Sequence, residues 1–372
     1  MVWTTTRTAL VHGAALVSLL AMRADAKGME MRAQKLAARA FRAAVKRVLP
    51  SLVTIETHGG VTARPRPRPG SRGPRRRRIS PVARPGEGPT TGIIVSSEGH
   101  ILTSTFNFLH KPPVITVVLH NGSAHVATLL GRDDTRKLCL LKIEGAEGLV
   151  VPRLAPAEGL RVGQWAIAVG FGYGGDEPAI SAGIISARDR IFRKAVQTDA
   201  NVSPANYGGP LLDIDGRVIG VCVPLSPRGQ GVADGAAWYD SGIGFAVPLD
   251  GLGPILEQLK AGEVIQPGKL GIQPAPRPPK GGGVEVRSVQ RDSGAEKTGI
   301  QEKDIIVALD GQPVHHVGDL RKLLGRRIAG DTVTVKLKRG DETLTLPVVL
   351  TSGEEPTEPS EGKTRSSRPD QH

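Results

Sequence analysis

From Thr90 to Val247 the chain is a succession of short runs rich in Val, Ile, Leu and Ala: TGIIVSS, HILTST, VITVVLH, HVATLLG, LCLLKI, WAIAVGF, AISAGIISA, VQTDA, PLLDIDGRVIGVCV and GIGFAVP. Gly, Pro and Asp separate them at short intervals. Runs of this length, punctuated this often, read as strands of a β-barrel or sandwich rather than a helical bundle. Composition agrees where it bears on the point. The 47 Gly and 29 Pro supply the turns, and with only 3% aromatic residues the cores must be aliphatic. A short helix, Leu249 to Ala261, closes this region.

The flanks are of different material. Met1–Arg7 carries one positive charge, Ala9–Met22 is mostly apolar, and Ala24-Asp25-Ala26 fits a small-residue cleavage rule, so 1–26 reads as a signal peptide. No later segment holds 18 consecutive apolar residues, so no membrane span is expected in the mature chain. Residues 27–50 form an N-terminal helical segment: Phe41, Val45, Val48 and Leu49 recur at helical spacing over 29–49, with Arg and Lys between them, until Pro50 stops the helix. The barrel-forming region spans 51–262. Within it, residues 61–89 hold nine Arg and seven Pro against one Glu, which places +8 of the formal +13 charge in one segment unable to bury a core. Residues 266–351 form a smaller unit with strands at VEVRSV, DIIVALD, VTVKLKR and TLPVVL and helices near GAEKTG and VGDLRKLLG. The acidic, polar stretch 352–372 reads as a disordered tail.

Charge and cysteine content frame the partners. The arginines of 61–89, among them Arg64, Arg66, Arg68, Arg75, Arg76, Arg77 and Arg78, suit a polyanion, or simply a solvated loop. No aromatic residue is interleaved, so base stacking has no support. Cys139 and Cys222 sit in strand-like runs and read as buried free thiols, though an exported chain could pair them. Nothing points to a cofactor or a metal.

The order and spacing of VLPSLVTIE, TGIIVSSEGHILT, RDDTRKLCLLKIE, SAGIISA, VQTDANVSPANYGGPLLDIDGRVIGV and SGIGFAVP resemble the HtrA/Deg family of trypsin-like serine proteases. The resemblance covers roughly Val45 to Leu350. It implies a mainly β fold: a chymotrypsin-like double β-barrel followed by a smaller α+β PDZ domain. It also implies export to the periplasm or beyond, a place in protein quality control, and room for a homotrimer built through N-terminal segments.

The three positions that carry catalysis in that family are all changed here. The chemistry needs an imidazole to take a proton, a carboxylate to orient it and a hydroxyl to attack. Where the family has ILTNNHVV this chain has ILTSTFNFL, with Phe106 in the histidine's place. DLALLK becomes KLCLLK, with Lys137 for the aspartate, and GNSGGPL becomes ANYGGPL, with Tyr207 for the serine. Phe106 accepts no proton, Lys137 repels an imidazolium, and a phenol of pKa near 10 needs a base. Ala205 replaces the glycine that presents an oxyanion N–H, and its Cβ narrows the backbone's choices. His110, Asp133 and Asp134 stand near enough in sequence to suggest displaced substitutes. Pro224 interrupts the strand that would pair with substrate, and Trp238 and Tyr239 belong to a loop that caps a core edge or meets a ligand.

In the smaller unit, Lys269-Leu270-Gly271-Ile272 resembles the PDZ loop whose backbone N–H groups hold a peptide's C-terminal carboxylate. Leu270, Gly271, Ile272 and Val317 are the expected peptide-binding residues. The prolines of QPAPRPPKGGG are expected to shorten the strand a peptide would join. Three readings follow: a non-cleaving HtrA-like protein that binds peptides or protein C-termini, an active endopeptidase of envelope quality control using displaced residues, and an interaction protein tethered to polyanions.

Overall fold

The computed structural model describes residues 31–32, 34–59, 89–109, 111–172, 177–226 and 242–352. The leader, most of the Arg/Pro segment, His110, Trp238, Tyr239 and the tail lie outside the described residues. The chain divides into two compact units, one made mostly of residues up to Glu263, the other from Val264 onward.

The first unit begins with α1 (31–48), which buries Ala44, Val45 and Val48. Phe41 meets Trp165 edge to face with ring centroids 5.1 Å apart. Pro50 removes an N–H donor, and α1 gives way to a 3-10 turn, Leu49–Ser51. Then come β1 (Leu52–His58), β2 (Thr90–Ile94), β3 (His100–Ser104), β4 (Val114–Leu119), β5 (Ala124–Asp133) and β6 (Leu138–Ile143). They pair in the order β5-β4-β1-β2-β3-β6, and a further β5–β6 pairing closes a six-stranded barrel. Val53, Ile55, Ile101, Val117, Cys139 and Leu141 fill it.

A second closed barrel, ordered β10-β11-β12-β9-β8-β7, follows. Its strands are β7 (Trp165–Gly170), β8 (Ala179–Asp189), β9 (Ala195–Thr198), β10 (Pro210–Leu212), β11 (Val218–Cys222) and β12 (Gly244–Pro248). Alternation places Ala166 and Ala168 of β7 in its core with Ile185, Val196, Leu211, Ile219, Cys222 and Ala246. Cys139 and Cys222 form no disulfide and are both fully buried, one in each barrel. The closing helix is shorter than its sequence suggests. α2 spans Gly253–Lys260, because Leu249–Leu252 is taken up by a turn in which Leu252 N–H donates to Leu249 O.

The second unit holds β13 (Val264–Ile265), β14 (Gly268–Lys269), β15 (Ile272–Pro274), β16 (Val284–Val289), α3 (Gly294–Lys297), β17 (Ile305–Leu309), β18 (Gln312–Pro313), α4 (Val317–Leu324), β19 (Thr332–Arg339), β20 (Glu342–Val349) and β21 (Thr351–Ser352). A sheet runs β15-β16-β17-β19-β20, and β14 pairs β21. The alternating TVTVKLKR of β19 buries Val333, Val335 and Leu337 against Val284, Ile306, Leu320 and Val348. Arg339 grips the buried Asp304 carboxylate with two N–H donors, each 2.8 Å away.

Candidate functional site

Two tight turns bring Phe106 and Tyr207 together, with the Lys137 backbone beside the first of them. The first turn is the 3-10 segment Thr105–Phe108 after β3, where the Ser104 hydroxyl accepts the Phe106 N–H at 3.2 Å. Thr105 N–H donates to Lys137 O at 2.9 Å, which ties this turn to the residue just before β6. Lys137 itself has a left-handed backbone, φ 62°. The second is the 3-10 turn Pro204–Asn206, where the Asn206 side-chain oxygen accepts from Ser203 N–H at 3.0 Å. Tyr207 follows, then Gly208 at φ 89°. A Cβ at Gly208 would overlap Thr103 Oγ1 and the Thr91 carbonyl, so this close approach of the two barrels admits only glycine.

At the centre, Phe106 and Tyr207 are 2% and 3% exposed and meet edge to face, with centroids 5.1 Å apart at 69°. Both belong to the apolar core of the second barrel, with Val202, Leu211 and Cys222. Tyr207 walls a residual cavity of about 10 Å³ with Val202, Val223, Pro224, Leu225, Ile243 and Phe245. That is room for one water at most. β11 stops at Cys222, and Val223 N–H donates to Phe245 O at 3.1 Å just before Pro224. The Asp133 carboxylate is buried and accepts the Thr135 N–H at 2.8 Å, as the cap of its own turn.

Of the backbone N–H groups that an oxyanion would need, that of Tyr207 is engaged internally. Tyr207 N–H donates to Pro204 O at 3.3 Å and Gly208 N–H to Cys222 O at 2.8 Å. The Ala205 carbonyl accepts the Thr91 hydroxyl at 3.1 Å. Thr91 Oγ1 also accepts from Phe171 N–H at 2.6 Å, and its carbonyl accepts the Thr103 hydroxyl at 2.7 Å. Asn107 donates to Thr103 Oγ1 at 3.1 Å. Thr91 thus latches β2, the end of β7 and the Ala205 turn together. Sequence reasoning does not single it out, since TTGII reads as an ordinary strand. An oxyanion site needs two N–H groups aimed at an open position. The Tyr207 N–H has an internal partner instead.

In the second unit, Leu270 is buried and its carbonyl accepts the Ala295 N–H at 2.9 Å. Gly271 has φ 81°, its carbonyl accepts Gln290 N–H at 2.7 Å, and a Cβ there would overlap the Ser293 side chain. Ile272 and Val317 pack on the same core cluster. β15 is three residues long, with its register broken between Gln273 and Pro274. Beyond it lies a cavity of about 250 Å³ lined by residues that include Pro276, Arg277, Pro278, Glu285 and Val317.

Comparison with known proteins sets these features in context. Residues 90–221 match the trypsin-like peptidase domain and residues 268–350 the PDZ domain. The chain is 33% identical over 276 residues to the "Probable periplasmic serine endoprotease DegP-like" of Chlamydia trachomatis, a match covering 70% of this chain and 53% of that protein. It is 31% identical over 293 residues to the protein of the same name from Pseudomonas fulva, covering 75% and 58%. The chain therefore spans little more than half the length of these relatives. Among solved structures, the HtrA-type protease AlgW with a decapeptide superposes with a TM-score of 0.62 at 26% identity, over 85% of this chain and 99% of that one. The serine endoprotease from Yersinia pestis gives 0.61 at 26% identity, over 84% and 98%.

Proposed function

For a chain that belongs to the HtrA/DegP family of trypsin-like serine proteases with a PDZ domain, we propose a role outside the cytoplasm as a non-cleaving homologue that binds peptides or protein C-termini. The periplasmic naming of its relatives supports export. The observation that carries the reading is the Phe106–Tyr207 ring pair, an apolar contact where the family places a base and a nucleophile. A phenol buried against a phenyl ring has no base in that ring to take its proton. The cavity that Tyr207 walls beside it has room for one water at most, and the Pro204 carbonyl accepts an N–H that an oxyanion would need.

Recognition then falls to the PDZ groove, with Leu270, Gly271 and Ile272 at the carboxylate end and Val317 on the facing helix. The AlgW structures carry bound peptides, which makes a peptide the natural ligand class to test. The experiment is digestion of casein and a peptide library by the purified chain, with fluorophosphonate labelling. The expected result is neither cleavage nor label. Turnover that survives purification and is lost on Tyr207→Ala would overturn the reading in favour of an active endopeptidase.

A further inference from the structure

Helix α1 carries no acidic side chain. Arg32, Lys35, Arg39, Arg42 and Lys46 are all exposed. At 100° per residue these five fall within a sector of about 80°, and the stripe they form is about 21 Å long. It lies opposite Phe41, Ala44, Val45 and Val48, the side chains that hold α1 to the second barrel through Trp165 and the turn at Gly216. Among the described residues none of the five makes an ion pair. Like charges three and four residues apart repel one another on a helix, so the stripe stands ready for a surface of opposite sign.

Two exposed apolar side chains flank the stripe at its N-terminal end, Met31 at 57% and Leu36 at 63% exposure. The stripe includes no aromatic, Asn or Gln side chain of the kind that reads or stacks on bases. About four to eight Lys and Arg clustered on one helix are the pattern that binds anionic headgroups. We propose that α1 is a docking surface for anionic phospholipid, with the five cations on headgroups and Met31 and Leu36 at the acyl boundary.

The test is co-sedimentation of the full chain with vesicles of phosphatidylcholine, with or without phosphatidylglycerol. Binding is expected only to the anionic vesicles and should weaken as salt rises. The triple variant Lys35→Gln, Arg39→Gln, Arg42→Gln leaves the Arg/Pro segment intact and should bind at least tenfold more weakly. Should that variant lose its circular dichroism, Arg39→Gln alone should bind about threefold more weakly. Leu36→Ser should lower vesicle binding about threefold and leave heparin retention unchanged. Equal binding to neutral vesicles, a triple variant that binds like the parent, or a Leu36→Ser variant that binds vesicles like the parent would each overturn the proposal.

Discussion

At the scale of single residues, Phe106 and Tyr207 are part of the core. Tyr207 is as buried as the aliphatic residues around it, so truncation leaves a cavity where a nucleophile would otherwise be exposed. Tyr207→Ala should destabilise the first unit by about 3 kcal/mol, the range for a large buried aromatic. Tyr207→Ser should lose a similar amount and stay unlabelled by fluorophosphonate, since Phe106 provides no base. Denaturant melts and labelling on the same samples check both. In the second unit, burial alone would raise the Asp304 carboxyl. The hydrogen bonds from Arg339 and from Gln301 N–H, with the Arg339 charge, outweigh it and hold the group below the ordinary aspartate value. Its folded-state value is therefore below its unfolded one. The stabilisation is complete above the unfolded value near 4 and is lost as pH falls through the folded one. Asp304→Asn should cost about 2 kcal/mol at neutral pH, less than a fully buried pair because Arg339 is 34% exposed. It should also flatten the acid limb of the melting curve, and thermal scans across pH 2 to 7 would show whether it does.

At the scale of elements, the strands were legible because their signals are local. Alternating aliphatic residues and Gly, Pro or Asp breaks place most runs within a residue or two of their observed bounds, as VTVKLKR and LCLLKI do, whereas PLLDIDGRVIGVCV divides into β10 and β11 around the turn at Gly216. Phe106, Lys137 and Tyr207 could be located by resemblance because the segments around them keep their order. What the sequence concealed is the long-range wiring. A threonine hydroxyl in a strand looks the same whether it faces water or, like Thr91, joins Phe171 to Ala205. That Tyr207 would turn inward against Phe106 was equally hidden, since nothing local fixes its rotamer. The loop before β15 is the converse case, where a single glycine is diagnostic. Gly271→Ala should strain a positive φ and strike Ser293, removing peptide binding and destabilising the second unit by about 2 kcal/mol. For the parent, three-residue β15 limits strand addition. Affinity for a free C-terminus should be no tighter than about micromolar, roughly −8 kcal/mol. Titration with free and C-terminally amidated peptides tests the groove, and equal binding by both would make the unit a spacer.

At the scale of the whole molecule, charge is separated from fold. Removing residues 61–89 takes +8 from the formal +13 and leaves +5. The shortened chain should elute from heparin at lower salt and melt at an unchanged temperature. Unchanged elution would locate the polyanion affinity elsewhere, and a large drop in melting temperature would assign the segment a structural role. The two thiols allow a different measurement. Cys139 lies in the first barrel, Cys222 in the second, and the second unit has no cysteine. Burial pushes the Cys222 thiol up to about 12, and alkylating reagents react with the thiolate of an accessible cysteine. Modification therefore waits for a barrel to open, and each barrel keeps its own count of openings. If both sites are modified at one rate, the barrels open as a single cooperative body. If Cys139 is modified first, the first barrel opens while the second stays closed.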